Sequence, residues 1–132
     1  MKIDHIAIAV NSVEASAKVY QQALGIDDVA FETVESEGVK VAILSMENGR
    51  IELMQPTNDQ SPIKKFLDKK GQGLHHIALE TNNIEGEVER MEGCGVQFLG
   101  KVRSGSAGTK VTFIHPKSLH GVLAELCSHP KL

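Results

Sequence analysis

Tryptophan is absent from this chain and tyrosine occurs once, so base stacking on aromatic platforms is not a theme here. A basic excess is also missing. Lys and Arg number 14 against 17 Asp and Glu, a net charge of −3, and no nucleic-acid partner is expected. Only two cysteines occur, Cys94 and Cys127, and no spacing motif joins them. That excludes a disulfide framework and reads as small buried thiols in a reducing cytosol. No apolar run approaches the roughly 18–20 residues of a membrane span. The first residues, Met1-Lys2-Ile3-Asp4-His5, pass directly into a strand pattern, so no secretory leader is expected. These absences point to a cytoplasmic location. What remains is a chain of 132 residues, 41% hydrophobic and 23% charged, enough for one ordinary globular domain.

The most informative feature present is an internal repeat. His5-Ile6-Ala7 recurs as His76-Ile77-Ala78. Glu52 within Ile51-Glu52-Leu53 is matched by Glu125 within Ala124-Glu125-Leu126. The His-to-Glu separation is nearly the same in both copies. Asn11/Asn82, Val13/Ile84, Glu14/Glu85 and Gly25/Gly95 align at nearly one offset.

The local patterns give the elements. Ile3–Val10 alternates, with Ile6, Ile8 and Val10 on one face and His5, Ala7 and Ala9 on the other. Asn11 or Ser12 caps a helix to about Leu24, whose stripe is Val13, Ala17, Tyr20 and Leu24; Gly25 ends it. Strands follow near Asp28–Val34, Val39–Met46 and Arg50–Gln55, with a turn at Gly38 and a tight hairpin at Asn48-Gly49. Ser61-Pro62 starts a short helix to about Lys70. The second copy repeats the plan: a strand at His75–Glu80, a helix from Asn82 or Asn83 to about Cys94, then strands at Val96–Val102, Lys110–Ile114 and Gly121–Cys127. Arg103–Thr109 reads as a Gly/Ser loop. The expected fold is α+β: two βαβββ repeats forming one curved mixed sheet around a metal cleft. It makes a single domain over 1–132, with repeat one at about 2–56, an insertion helix at about 61–70 and repeat two at about 74–128.

Strand parity sorts the polar residues. If His5 faces the cleft, so do His76 and Ala78, while His75 faces away. Glu52 and Glu125 each lie between apolar neighbours, and a carboxylate so placed is costly in a dry environment unless paired or metal-bound. His5, Glu52, His76 and Glu125 are therefore the expected metal ligands. Two nitrogens and two oxygens suit Co²⁺, Mn²⁺, Ni²⁺ or Zn²⁺. His115, His120 and His129 lie near turns and read as surface residues. Lys64, Lys65, Lys69 and Lys70 read as a solvated helix face. Lys101, Arg103, Lys110 and Lys117 flank the Gly/Ser loop, where an anionic ligand could meet them. Gly105-Ser106-Ala107-Gly108 is not a P-loop, because no Gly-Lys-Ser/Thr follows.

The repeat plan resembles the vicinal-oxygen-chelate superfamily of glyoxalase I, extradiol dioxygenases and methylmalonyl-CoA epimerases. Within it the chain looks most like the epimerases over nearly its whole length. The residues that carry the resemblance are Asp4-His5-Ile6-Ala7, Ile51-Glu52-Leu53, Ser61-Pro62-Ile63, Phe66-Leu67, Gly73-Leu74-His75-His76-Ile77-Ala78 and Phe113-Ile114-His115-Pro116-Lys117. His120-Gly121-Val122-Leu123-Ala124-Glu125-Leu126 completes the set. The resemblance implies that His5, His76 and Glu125 bind a divalent ion, Co²⁺ first, with Glu52 where some members have Gln. It implies a methylmalonyl-CoA substrate, a homodimer, and epimerisation by a metal-stabilised enolate with 1,1-proton transfer. Glu125 is then one base and Glu52 the second, with Glu35 and Glu37 as outside candidates. One departure is Val41, which stands where some bacterial epimerases have a Glu proposed as a base. The rival activities are a glyoxalase I-type lactoylglutathione lyase and a 2-His-1-Glu iron dioxygenase. A metal-free small-molecule binding protein on the same fold is the rival of another class.

Overall fold

The computed structural model describes residues 1–131. Among them are eight strands and three α-helices, an α+β composition. Backbone contacts divide the chain into two compact units. One is His5–His75; the other joins Met1–Asp4 to the chain from His76 onward.

In the first unit, β1 (Lys2–Ala9) leads to α1 (Val13–Leu24). Ser12 caps that helix by accepting the Ala15 N–H, and Gly25 closes it in the left-handed region at φ 67°. Then come β2 (Val29–Val34), β3 (Val39–Met46) and β4 (Gly49–Pro56). Their order in the sheet is β2-β3-β4-β1. β2, β3 and β4 pair antiparallel, and β1 runs parallel to β4. A parallel pair needs a crossover, which α1, β2 and β3 supply. The β3–β4 hairpin sits one residue earlier than Asn48-Gly49, because Gly49 already pairs with Met46. Gly38 turns the chain into β3 at φ 65°, and a Cβ there would meet Asn58 Nδ2 at 3.2 Å. The turn thus needs glycine for both its backbone angle and its space.

Two apolar layers cover the faces of this sheet. Val10, Val13, Ala17, Ile26, Ala42, Leu44 and Leu53 form one, with Ile8 and Tyr20 packed against it. Leu24, expected on the stripe, is 56% exposed. It is the last residue of α1, where the buried stripe has already ended. The opposite face buries Ala9, Val39, Val41 and Ile63. Ile63 comes from α2 (Pro62–Lys70), capped by Ser61. The lysines of α2 lie toward solvent as expected, with Lys64 paired to Asp68.

In the second unit, β5 (Gly73–Glu80) is followed by α3 (Ile84–Gly93), capped by Asn83. β7 (Lys110–Ile114) and β8 (Ala124–Ser128) follow β6, and the order is β5-β8-β7-β6. β5 and β8 are parallel, as β1 and β4 are. The expected strand over Val96–Val102 does not form. Pairing there is a single bridge, Phe98 to Ile114, and β6 is only Arg103–Ser104, inside the expected loop. The bridge's two backbone bonds run from the Leu99 N–H to the Phe113 carbonyl and from the His115 N–H to the Gln97 carbonyl, and at Gly100, beyond that bridge, the carbonyl accepts from Thr112 Oγ1. Val96, Phe98 and Val102 still pack on the core of Ile84, Ile114, Ala124 and Leu126. β8 also starts later than expected, because Gly121 takes φ 102° after the turn at Pro116–Leu119.

Candidate metal centre

The four expected ligands are all buried: His5 4%, Glu52 3%, His76 4% and Glu125 7% exposed. Each unit brings its own pair together. His5 Nδ1 stands 3.3 Å from Glu52 Oε2, and His76 Nε2 stands 3.0 Å from Glu125 Oε1. The sheet register explains both. Glu52 pairs with Ala7 across the parallel ladder, and Glu125 pairs with Ala78. In each case the histidine is two residues before the alanine, so it shares the alanine's face. The small alanine side chains leave room for imidazole and carboxylate to meet.

The third neighbour differs. Across the antiparallel ladder Glu52 faces Ile43, whereas Glu125 faces Phe113. The Phe113 ring meets His76 edge-on, with centroids 5.1 Å apart. Arg103 lies over the same ring at 5.5 Å. Lys110, from the same expected anion-binding group, is paired with Glu85 at 3.0 Å.

His75 separates from His76 as parity requires. It is half-buried, and Phe66 packs on it edge-on at 4.9 Å. Glu35 is exposed and Glu37 half-buried in the 3₁₀ turn before β3. Val41 is buried in the apolar layer under α2. Two of the three histidines read as surface residues have partners instead. His115 Nδ1 accepts the Lys117 N–H and caps a 3₁₀ turn. His129 Nε2 lies 2.6 Å from Asp4 Oδ1, on a carboxylate that is itself buried. Beside this pair is Cys127, whose thiol is pushed up by burial first and by the charges of Asp4, Glu125 and Glu80 next. A thiol held protonated is inert, so the cluster reads as a buried polar clamp.

Arg50 is not marked out by the sequence pattern, yet its Nη2 lies 3.3 Å from Glu52 Oε2. The available signal was its place two residues before Glu52 on one strand, which parity puts on the same face.

The donor set suits a divalent ion. Carboxylates buried to this degree are costly without a counter-charge, and imidazole and carboxylate are the usual ligands of Co²⁺, Mn²⁺, Ni²⁺ and Zn²⁺.

A family model matches residues 4–113 of this pattern. The chain belongs to the Glyoxalase/Bleomycin resistance protein/Dioxygenase superfamily. Within that superfamily it is similar to methylmalonyl-CoA epimerases. The ethylmalonyl-CoA/methylmalonyl-CoA epimerase of Cereibacter sphaeroides is 37% identical over 128 residues, 95% of this chain and 96% of the relative. A Streptomyces coelicolor methylmalonyl-CoA epimerase variant in complex with 2-nitronate-propionyl-CoA superposes with a TM-score of 0.95 at 33% identity. That match covers 100% of this chain and 96% of the other. A methylmalonyl-CoA epimerase in complex with methylmalonyl-CoA and NH4+ gives 0.92 at 35% identity, covering 97% and 94%. At these identities and coverages the fold is that of the superfamily along the whole chain. No described helix is long and apolar enough to cross a membrane.

Proposed function

We propose that this protein is a methylmalonyl-CoA epimerase, an isomerase that interconverts the (R)- and (S)-forms of its acyl-CoA thioester. The observation that carries the reading is the full-length likeness to an epimerase holding methylmalonyl-CoA, met here by two buried His–Glu pairs in matching registers.

His5, Glu52, His76 and Glu125 would together hold one divalent ion, with Co²⁺ the first candidate. When bound, such an ion supplies Lewis-acid stabilisation of negative charge on the thioester oxygen. The chain's own residues supply the proton chemistry. The C2–H bond of methylmalonyl-CoA lies between a thioester and a carboxylate and is acidic for a carbon. Its proton passes to one carboxylate while the electron pair moves into the planar enolate. The opposite glutamate, which starts as the carboxylic acid, then gives its proton to form the new C2–H bond. Glu125 is assigned to one face and Glu52 to the other. Val41 supports this choice, since an apolar buried residue offers no base on β3. Burial of the pairs excludes bulk water from the carboxylates, which strengthens their interaction with the developing charge. The protein acts as a homodimer in the cytoplasm. Exposed Ile6, Val19 and Leu74 on the first unit offer apolar surface for the dimer.

The test is C2 proton exchange followed by NMR in deuterium oxide, with methylmalonyl-CoA and with a glutathione hemithioacetal offered separately. Rapid deuterium incorporation into methylmalonyl-CoA alone is expected. Turnover of the hemithioacetal instead would assign the lactoylglutathione lyase reaction. Exhaustive chelation should abolish exchange and added Co²⁺ restore it; full activity in protein shown metal-free by elemental analysis would overturn the ligand assignment.

A further inference from the structure

The two His–Glu pairs are alike in register but not in charge. On β4, Arg50 stands two residues before Glu52, and across the parallel ladder it pairs with His5 itself. Its Nη2 lies 3.3 Å from Glu52 Oε2, the oxygen that also stands 3.3 Å from His5 Nδ1. The matched position in the second half, two residues before Glu125, is Leu123. The His76–Glu125 pair therefore has an apolar residue where the His5–Glu52 pair has a cation.

A simple charge count gives this difference a meaning. With one glutamate ionised and the other holding the proton it delivers, two neutral imidazoles and one divalent ion leave the centre at +1. The carboxylate of the acyl group cancels that charge, so nothing is left to oppose the charge that grows at C2. The Arg50 guanidinium raises the sum to +2, on the side of Glu52. Its side chain is 28% exposed against 4% for Glu52, so the group reaches from the buried pair toward solvent. A guanidinium presents five donors in a planar fork, enough to serve Glu52 and a second carboxylate together.

Building on the epimerase reading, we propose that Arg50 is a substrate-binding residue that takes the free carboxylate of a 2-carboxyacyl thioester. It selects carboxylated acyl groups over neutral ones and opposes the negative charge that grows as C2 loses its proton. The site's preference for a dianionic transition state is then built into the first half alone.

The probe is malonate, titrated calorimetrically into the Mn²⁺-loaded protein after Mn²⁺ affinity is measured by electron paramagnetic resonance. Two variants are used: Arg50→Leu, which copies Leu123, and Arg50→Lys, which keeps the charge. Arg50→Leu is expected to weaken malonate at least about tenfold, the size of a lost charge-assisted hydrogen bond. Arg50→Lys should recover most of that loss. Mn²⁺ affinity should not weaken in either variant, because removing a cation beside a metal ligand does not repel the ion. Equal malonate binding by Arg50→Leu and wild type would overturn the proposal. Loss of Mn²⁺ binding in Arg50→Leu would also overturn it, making Arg50 a mere support for Glu52. A wild-type protein that takes neither Mn²⁺ nor Co²⁺ would overturn the metal reading and this proposal with it.

Discussion

The two halves of this chain solve one packing problem with unequal material. The first builds β3 and β4 as eight-residue strands in continuous register. The second builds β7 and β8 as five-residue strands and reduces β6 to two residues. Both nevertheless hold a histidine and a glutamate on one face of a parallel strand pair. The central ladder, β1 with β4 and β5 with β8, is thus the part held alike, while the outer strands vary. The surroundings of the carboxylates vary with them. Glu52 lies among Ile43, Arg50 and His5, and Glu125 beside Phe113 and His76. A duplicated fold can carry a symmetric set of His–Glu pairs and still give each pair its own electrostatics.

The largest expected effect breaks the symmetry at the carboxylates. Glu125→Gln and Glu52→Gln should each slow epimerisation by about 10²–10⁴-fold, as loss of a positioned acid–base group does, with the fold retained by circular dichroism. Deuterium wash-in from each enantiomer separately sharpens the comparison. If the two residues serve opposite faces, each variant should spare exchange from one enantiomer more than the other. Near-normal wash-in from both enantiomers in one variant removes that residue from the base role.

A smaller effect tests whether the two cores are equally tight. Leu53 and Leu126 are both fully buried and occupy matching places after the glutamates. Leu53→Ala and Leu126→Ala should each cost about 2–5 kcal/mol in urea unfolding, since each removes a buried side chain and leaves a cavity. A cost below 1 kcal/mol at Leu126, by the same principle, would mean that the shorter second ladder relaxes around the gap.

The smallest effect lies within the second half. Cys94 is exposed and Cys127 buried, with its thiol held protonated by burial and neighbouring carboxylates. A maleimide or Ellman's reagent should label one thiol rapidly in the native protein and the second only after unfolding. Mass spectrometry should place the fast label on Cys94. Rapid labelling of Cys127 would show that the Asp4–His129 clamp opens readily.

Much of this was legible in the sequence because it depends on period and repetition. Alternation placed His5 with Ala7 and Ala9, and it separated His76 from His75. The caps Ser12, Ser61 and Asn83 marked the helix starts, because a hydroxyl or amide oxygen there meets local N–H groups. The duplicated His and Glu positions singled out residues that the structure pairs, His5 with Glu52 and His76 with Glu125. Local pattern failed where non-local pairing decides. Val96–Val102 has strand composition, but its pairing stops after one bridge, where the Gly100 carbonyl accepts from the Thr112 hydroxyl. Leu24 fits the helix stripe by spacing, but it is the last residue of α1, where the buried stripe has already ended.

The sequence by itself determined the repeat, the face of each strand and which two histidines and two glutamates form the candidate set. These follow from 2.0- and 3.6-residue periodicities, which need no knowledge of neighbours. Only the tertiary structure decided which histidine meets which glutamate, that Arg50 shares an oxygen of Glu52, and that His129 reaches back to Asp4. Those pairings join residues far apart in the chain, or depend on a strand register that composition does not encode.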